Sequence, residues 1–127
     1  MSHPDMTRAI NDAIGAHGAW KFKLKSAVAR GESALSPQTV QRDDCCDFGR
    51  WLYGPTIEGA TRNGMPYKVV RRLHAEFHVC AAEVLSKAVS GERTEAATLL
   101  SGAFSERSHR LVTALTKWKL ELGQKAA

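Results

Sequence analysis

Residues 66–90 read PYKVVRRLHAEFHVCAAEVLSKAVS, and the spacing in this stretch decides the fold. Val70, Leu73, His74, Phe77, His78, Ala81, Val84, Leu85 and Ala88 recur at steps of three and four, so they share one stripe of a helix. Pro66 suits the first turn, where its missing N–H leaves no bond unmade, and Gly91 is a natural stop after Val89 or Ser90. Upstream, residues 56–65 are rich in glycine and polar side chains and read as a connection. Before that, Asp43 or Asp44 is placed to cap a short helix over Cys45–Tyr53, ended by Gly54-Pro55. Residues 31–42 are polar, hold Pro37 and read as a loop. A first long helix is expected from Asp5 to Arg30, capped from Ser2–Asp5 and stopped by Gly31. Its stripe is Met6, Ile10, Ala13, Ile14, His17, Trp20, Leu24 and Val28. A last long segment, about Thr94 to Leu122, puts Ala97, Leu100, Phe104, Leu111, Leu115 and Trp118 on one side. No segment alternates with period two. The fold class is therefore all-α: an antiparallel, up-down four-helix bundle with an additional short helix carrying the cysteines. One domain is expected over residues 1–127, with its core over about 5–122.

Composition narrows the function classes. At 43% hydrophobic and 24% charged, 127 residues can build a core, which excludes a disordered chain. No apolar run approaches the length of a membrane span, and Asp5, Arg8 and Asp12 break any signal-peptide pattern. Neither membrane insertion nor secretion is expected, and the expected location is the cytoplasm. Three cysteines, two of them adjacent at Cys45 and Cys46, do not make a disulfide framework and read as reduced thiols. The net charge of +5 comes from 18 basic residues mixed with 13 acids along the chain. That reads as a solvated basic surface, and no nucleic-acid partner is expected.

The histidines carry the chemistry. His74 and His78 are four apart, which leaves about 40° between them after a full turn, so both rings project to one side. The flanking Leu73, Phe77, Ala81 and Leu85 put that side inward, and His17 lies in the stripe of the first helix. One inward histidine is usually a satisfied core residue. Three of them without partners are costly to bury, and one shared metal ion satisfies all three. A structural site takes a fourth ligand, and the candidates are cysteines. Cys80 lies about 160° around the helix from His78, so it reads as a small buried apolar residue. Cys45 and Cys46 open the short helix, where the helix dipole favours thiolate. They differ by about 100° in direction, and periodicity does not choose between them. His3 lies in the N-terminal tail. His109 sits beside Arg107 and Arg110, off the Phe104–Leu111–Leu115 side, and reads as solvated.

Three pieces in order complete the pattern: Ala16-His17 with Trp20 and Leu24, then Cys46-Asp47-Phe48-Gly49-Arg50-Trp51-Leu52, then His74-Ala75-Glu76-Phe77-His78. This resembles the chemoreceptor zinc-binding (CZB) domain family over about Ala9 to Leu115. The resemblance implies one zinc ion per chain held by His17, Cys46, His74 and His78, with no role for Cys45. It also implies an antiparallel helical bundle, often a homodimer, that reports zinc or oxidants to a signalling partner or attached output domain. Family members sit at an end of chemoreceptors or diguanylate cyclases, and this chain shows neither a methyl-accepting coiled coil nor a cyclase motif. The expected function is a zinc-binding sensor of bacterial signalling, of chemotaxis or cyclic-di-GMP type. Zinc loss or oxidation of Cys46 would free the short helix. Four protein ligands leave no open position for a substrate water, so no enzyme is expected. Glu76, Asp43, Asp44 and Asp47 are candidates to accept imidazole N–H bonds. Trp20, Phe22 and Trp118 offer aromatic surface for dimerisation. The alternatives are a phosphotransfer bundle, which needs a solvent-facing histidine, and a metal-free bundle acting as a protein-interaction module. A haem bundle lacks a Cys-x-x-Cys-His motif, and a diiron bundle lacks inward carboxylates, since Glu76 and Glu83 are too few.

Overall fold

The computed structural model describes residues 3–126, with the side chains of residues 5–123. Ser2 and the side chain of His3, read above as cap and tail, lie outside these. The described chain is all helical and contains no strand: α1 (His3–Gly18), α2 (Trp20–Arg30), α3 (Pro37–Gln41), α4 (Asp47–Leu52), α5 (Gly59–Arg62), α6 (Met65–Val89), α7 (Arg93–Leu99), a π-helical segment (Leu100–Phe104) and α8 (Ser105–Ala126). No helix among the described residues is long and apolar enough to cross a membrane.

Helix α6 is the hub, packed by α2, α3, α7, the π segment and α8, while α1 lies against α8 and α4. Its whole expected stripe is buried, from Val70 to Ala88, with Tyr67 and Cys80 joining it. Cys80 is the buried apolar residue its position implied. Gly91, past the end of α6, takes a left-handed φ of 85°.

Four expectations need correction. The first long helix is two. It breaks at Ala19, where the Phe22 N–H reaches back only to the Ala19 carbonyl, at 3.1 Å. Gly18, a poor helix former, precedes the break and His17 stands just before it. The segment expected as a loop contains α3, because Ser36 accepts from the Thr39 N–H at 3.5 Å and Pro37 occupies the first turn. The short helix starts at Asp47, with Cys46 itself as its N-cap in place of an aspartate. The last long segment is interrupted by the π turn. Ala96, Leu100 and Phe104 stay buried at steps of four, a spacing that drifts around an α-helix but stays on one side of the wider turn. Ala97, expected inward, is consequently exposed.

The aromatic surface assigned to dimerisation divides. Trp118 is buried, with ring centroids 5.9 Å from Trp51 and 6.3 Å from Tyr67, so the chain's own core uses it. Trp20 is half-buried, and Phe22 remains 61% exposed.

Candidate metal centre

Each candidate ligand arrives on a different local structure. His17 ends α1, His74 and His78 lie one turn apart on α6, and Cys46 caps α4. The cap geometry is specific. Cys46 has an extended backbone, and its Sγ accepts the Gly49 N–H at 3.3 Å. Gly49 must be glycine, because a Cβ there would stand 1.8 Å from the Asp43 carbonyl oxygen and 3.0 Å from the Asp44 Cα. The turn that delivers Cys46 is thus folded tightly onto its own helix. Arg62 braces the other end through the Gly54 and Ile57 carbonyls, and the Tyr67 hydroxyl donates to the Leu52 carbonyl at 2.8 Å.

The four side chains converge, with one ligand atom of each within 4.8 Å of the others. The Nε2 atom of His74 is 3.0 Å from that of His17 and 3.0 Å from that of His78. The Cys46 Sγ lies 3.3, 3.6 and 4.0 Å from His74, His78 and His17. Tetrahedral zinc with ordinary Zn–N and Zn–S bonds separates its ligand atoms by about 3.3–3.6 Å, so the spacing fits one ion.

Proton positions give an independent reason. His17 Nδ1 is 2.8 Å from the Ala13 carbonyl and His78 Nδ1 is 2.9 Å from the Val40 carbonyl. A carbonyl only accepts, so both Nδ1 atoms carry the proton and both Nε2 atoms present lone pairs to the centre. Close-set lone pairs repel unless a cation or a proton lies between them. Protonation is disfavoured: burial pushes His17 down to about 4 and His74 to about 2, and lowers His78. His74 Nδ1 is buried with no hydrogen-bond partner among the described residues, so its ring is held by packing and by whatever its Nε2 binds.

Burial also raises the Cys46 thiol, outweighing the N–H groups of Gly49 and Phe48 that pull it down. The thiolate expected from the helix dipole therefore requires a positive ion beside it. Rings shield the centre: Phe77 stands edge-on to His17 at 5.1 Å, Phe48 to His74 at 5.1 Å, and Trp20 to His78 at 6.4 Å.

The carboxylates named as candidate imidazole acceptors have other partners. Glu76 faces Arg72 and Arg107, Asp43 accepts from the Tyr53 hydroxyl, Asp44 pairs with Arg42, and Asp47 pairs with Arg50 at the surface. Backbone carbonyls do that work for His17 and His78. Cys45, 3.6 Å from Asp44, is not in the cluster, and His109 is exposed away from it. His17 is 2% exposed, so it is not the solvent-facing histidine that a phosphotransfer bundle needs. The residues that sequence reasoning missed are Gly49 as the cradle and the Ala13 and Val40 carbonyls as acceptors. Only Gly49 carries a signal, as an isolated glycine in a helix start.

The family model of the chemoreceptor zinc-binding domain matches residues 17–85, more than half of the chain. The match begins at His17 and spans Cys46, His74 and His78, and it stops short of α7 and α8. No curated protein and no solved structure matches the chain.

Proposed function

The chain belongs to the chemoreceptor zinc-binding domain family, and from that premise we propose that His17, Cys46, His74 and His78 hold its zinc ion and that the domain acts as a sensor in bacterial signalling. The observation that carries the reading is the convergence of three Nε2 atoms and one Sγ at zinc-ligand spacing, with two of the tautomers fixed by carbonyls. When bound, zinc supplies a positive charge that makes thiolate the stable form of Cys46 and ties three chain segments together.

The protein's part is to preset that geometry. Ala13 and Val40 orient two imidazoles, Gly49 holds the sulfur, and Phe48 and Phe77 keep water from the rings. Four protein ligands leave no open coordination position, so the centre is regulatory, not catalytic. The ligand that differs is the switch. Cys46 is the one sulfur ligand and caps a short helix, whereas the histidines lie on the longer α1 and α6. Loss of zinc, or oxidation of Cys46, releases α4 from α6 and gives the domain two states for a partner to read. The reading includes one domain built as an antiparallel four-helix bundle, a cytoplasmic setting that keeps the thiol reduced, a homodimer, and a chemotaxis or cyclic-di-GMP output as the attached or bound partner.

The test is elemental analysis with a chelator-competition titration on the wild type and Cys46→Ala. The wild type holds one zinc per chain, and Cys46→Ala holds it far more weakly. Full occupancy at unchanged affinity in the variant would overturn the four-ligand assignment.

A further inference from the structure

Helix α2 carries basic side chains and no acid. Residues 13–31 contain no Asp or Glu and carry Lys21, Lys23, Lys25 and Arg30. Leu24, Ala27 and Val28 bury one side of the helix, so the lysines, Arg30 and Phe22 all face out. Neither Lys21 nor Lys25 has an ion-pair partner among the described residues. Lys87, by contrast, pairs with Glu92 and Glu95, and Arg110 pairs with Glu106.

Beside these two lysines runs a groove of about 620 Å³ between α2 and the α7–π segment. Its floor is apolar and low: Val28 and Ala29 from one side, Ala97 and Leu100 from the other. Lys21 and Lys25 form one rim, Ser101 and Ser105 the opposite one. Both serine hydroxyls donate to carbonyls of their own helix, to Ala97 and Leu100, so they add no charge to balance the lysines. Arg93 closes the α2 end by donating to the Ala29 carbonyl at 2.8 Å. The groove owes its shape to the π turn, which turns Ala96 inward and leaves the small Ala97 at the floor.

We propose that this groove docks an acidic amphipathic helix of a signalling partner, with small apolar side chains on the Val28–Ala29–Ala97–Leu100 floor and carboxylates on Lys21 and Lys25. The two lysines are four residues apart, about 6 Å along the helix, which matches acids at i and i+4 on an opposing helix. Charge complementarity argues for an acidic partner and against this face meeting its own copy, which would set Lys21 and Lys25 against the same lysines. A groove of about 620 Å³ with apolar lining between two helical segments takes a helix, whereas a lipid surface would engage Phe22 and the outer lysines and leave the groove empty. The proposal rests on the signalling reading for the protein nature of the occupant and is independent of which residues hold zinc.

The experiment uses the zinc-loaded full chain and, as probe, a synthetic helical peptide with glutamates four residues apart beside leucines. Saturable binding is read by fluorescence anisotropy at physiological salt. Lys21→Glu/Lys25→Glu weakens it by about tenfold or more. Ala97→Phe, which fills the floor at an exposed position, weakens it without touching charge. Lys68→Glu/Lys117→Glu, the same charge change elsewhere, leaves it within about twofold. Equal loss in that control pair, or full binding by Ala97→Phe, overturns the proposal. So does the absence of peptide binding together with Lys21- and Lys25-dependent sedimentation on phosphatidylcholine vesicles containing phosphatidylserine. Chelator competition on the same variants scores zinc affinity separately. An unchanged value with lost docking supports the groove, and a weak wild-type zinc site faults the metal assignment alone.

Discussion

Gly49→Ala tests the geometry of the centre without removing a ligand. The added methyl would meet the Asp43 carbonyl oxygen at 1.8 Å, its carbon at 2.8 Å and the Asp44 Cα at 3.0 Å. All three are backbone atoms, so no side chain can rotate away. The oxygen must retreat from 1.8 Å to at least 3.0 Å, a displacement imposed on the turn that ends at Cys46. That turn is pinned on both sides: Val40 accepts from His78, and Cys46 lies 3.3 Å from His74. Cys46 lies at the end of that turn, so the displacement falls on it. Displaced supports of metal ligands typically weaken binding by 10–100-fold, which is about 1.4–2.7 kcal/mol. The assay is zinc competition against a chromophoric chelator, run on wild type, Gly49→Ala and Gly102→Ala, whose added methyl meets nothing within 4 Å. Circular dichroism confirms that each variant keeps its helices. An affinity for Gly49→Ala within about twofold of wild type, with the fold intact, refutes the claim that this cradle positions the sulfur.

Zinc removal destabilises the domain: at metal a thousandfold above Kd the bound form gains about 4 kcal/mol, and chelation lowers Tm by roughly 10 °C in a thermal melt. The metal-free protein loses stability in mild acid. His17 and His74 are held below their unfolded value of 6.5, so below pH 6.5 the unfolded chain binds protons that the folded one refuses. Urea titrations of the chelated protein at pH 7 and pH 5.5 should differ by about 3 kcal/mol, at about 1.4 kcal/mol per histidine, lower at the acid value. Tyr67→Phe leaves the Leu52 carbonyl without its donor and costs about 1–2 kcal/mol in the same titration, with zinc still bound. His109→Ala, at an exposed position outside the cluster, leaves zinc content unchanged by elemental analysis.

The sequence by itself determined α6 and the face it buries. A period near 3.6 is a property of one helix axis, and every expected stripe residue of α6 is buried. The same arithmetic put His74 and His78 on one side of α6 and His17 inside the stripe of α1, because direction around an axis depends only on spacing. The pairing of Cys46 with those histidines was legible only through the family resemblance. Cys46 is 29 residues from His17 and 28 from His74, and no periodicity spans separate axes. Tertiary structure decided the rest. It gave imidazole orientation to carbonyls rather than to carboxylates, since the acids near the ligands in sequence are taken up by Arg42, Arg50, Arg72, Arg107 and Tyr53. It set the thiol's acidity by burial over helix dipole, a contest that depends on neighbours from other segments. It also decided that α1 breaks after His17 and that a π turn lifts Ala97 out of the core, because both breaks accommodate packing between helices that spacing along one chain cannot encode.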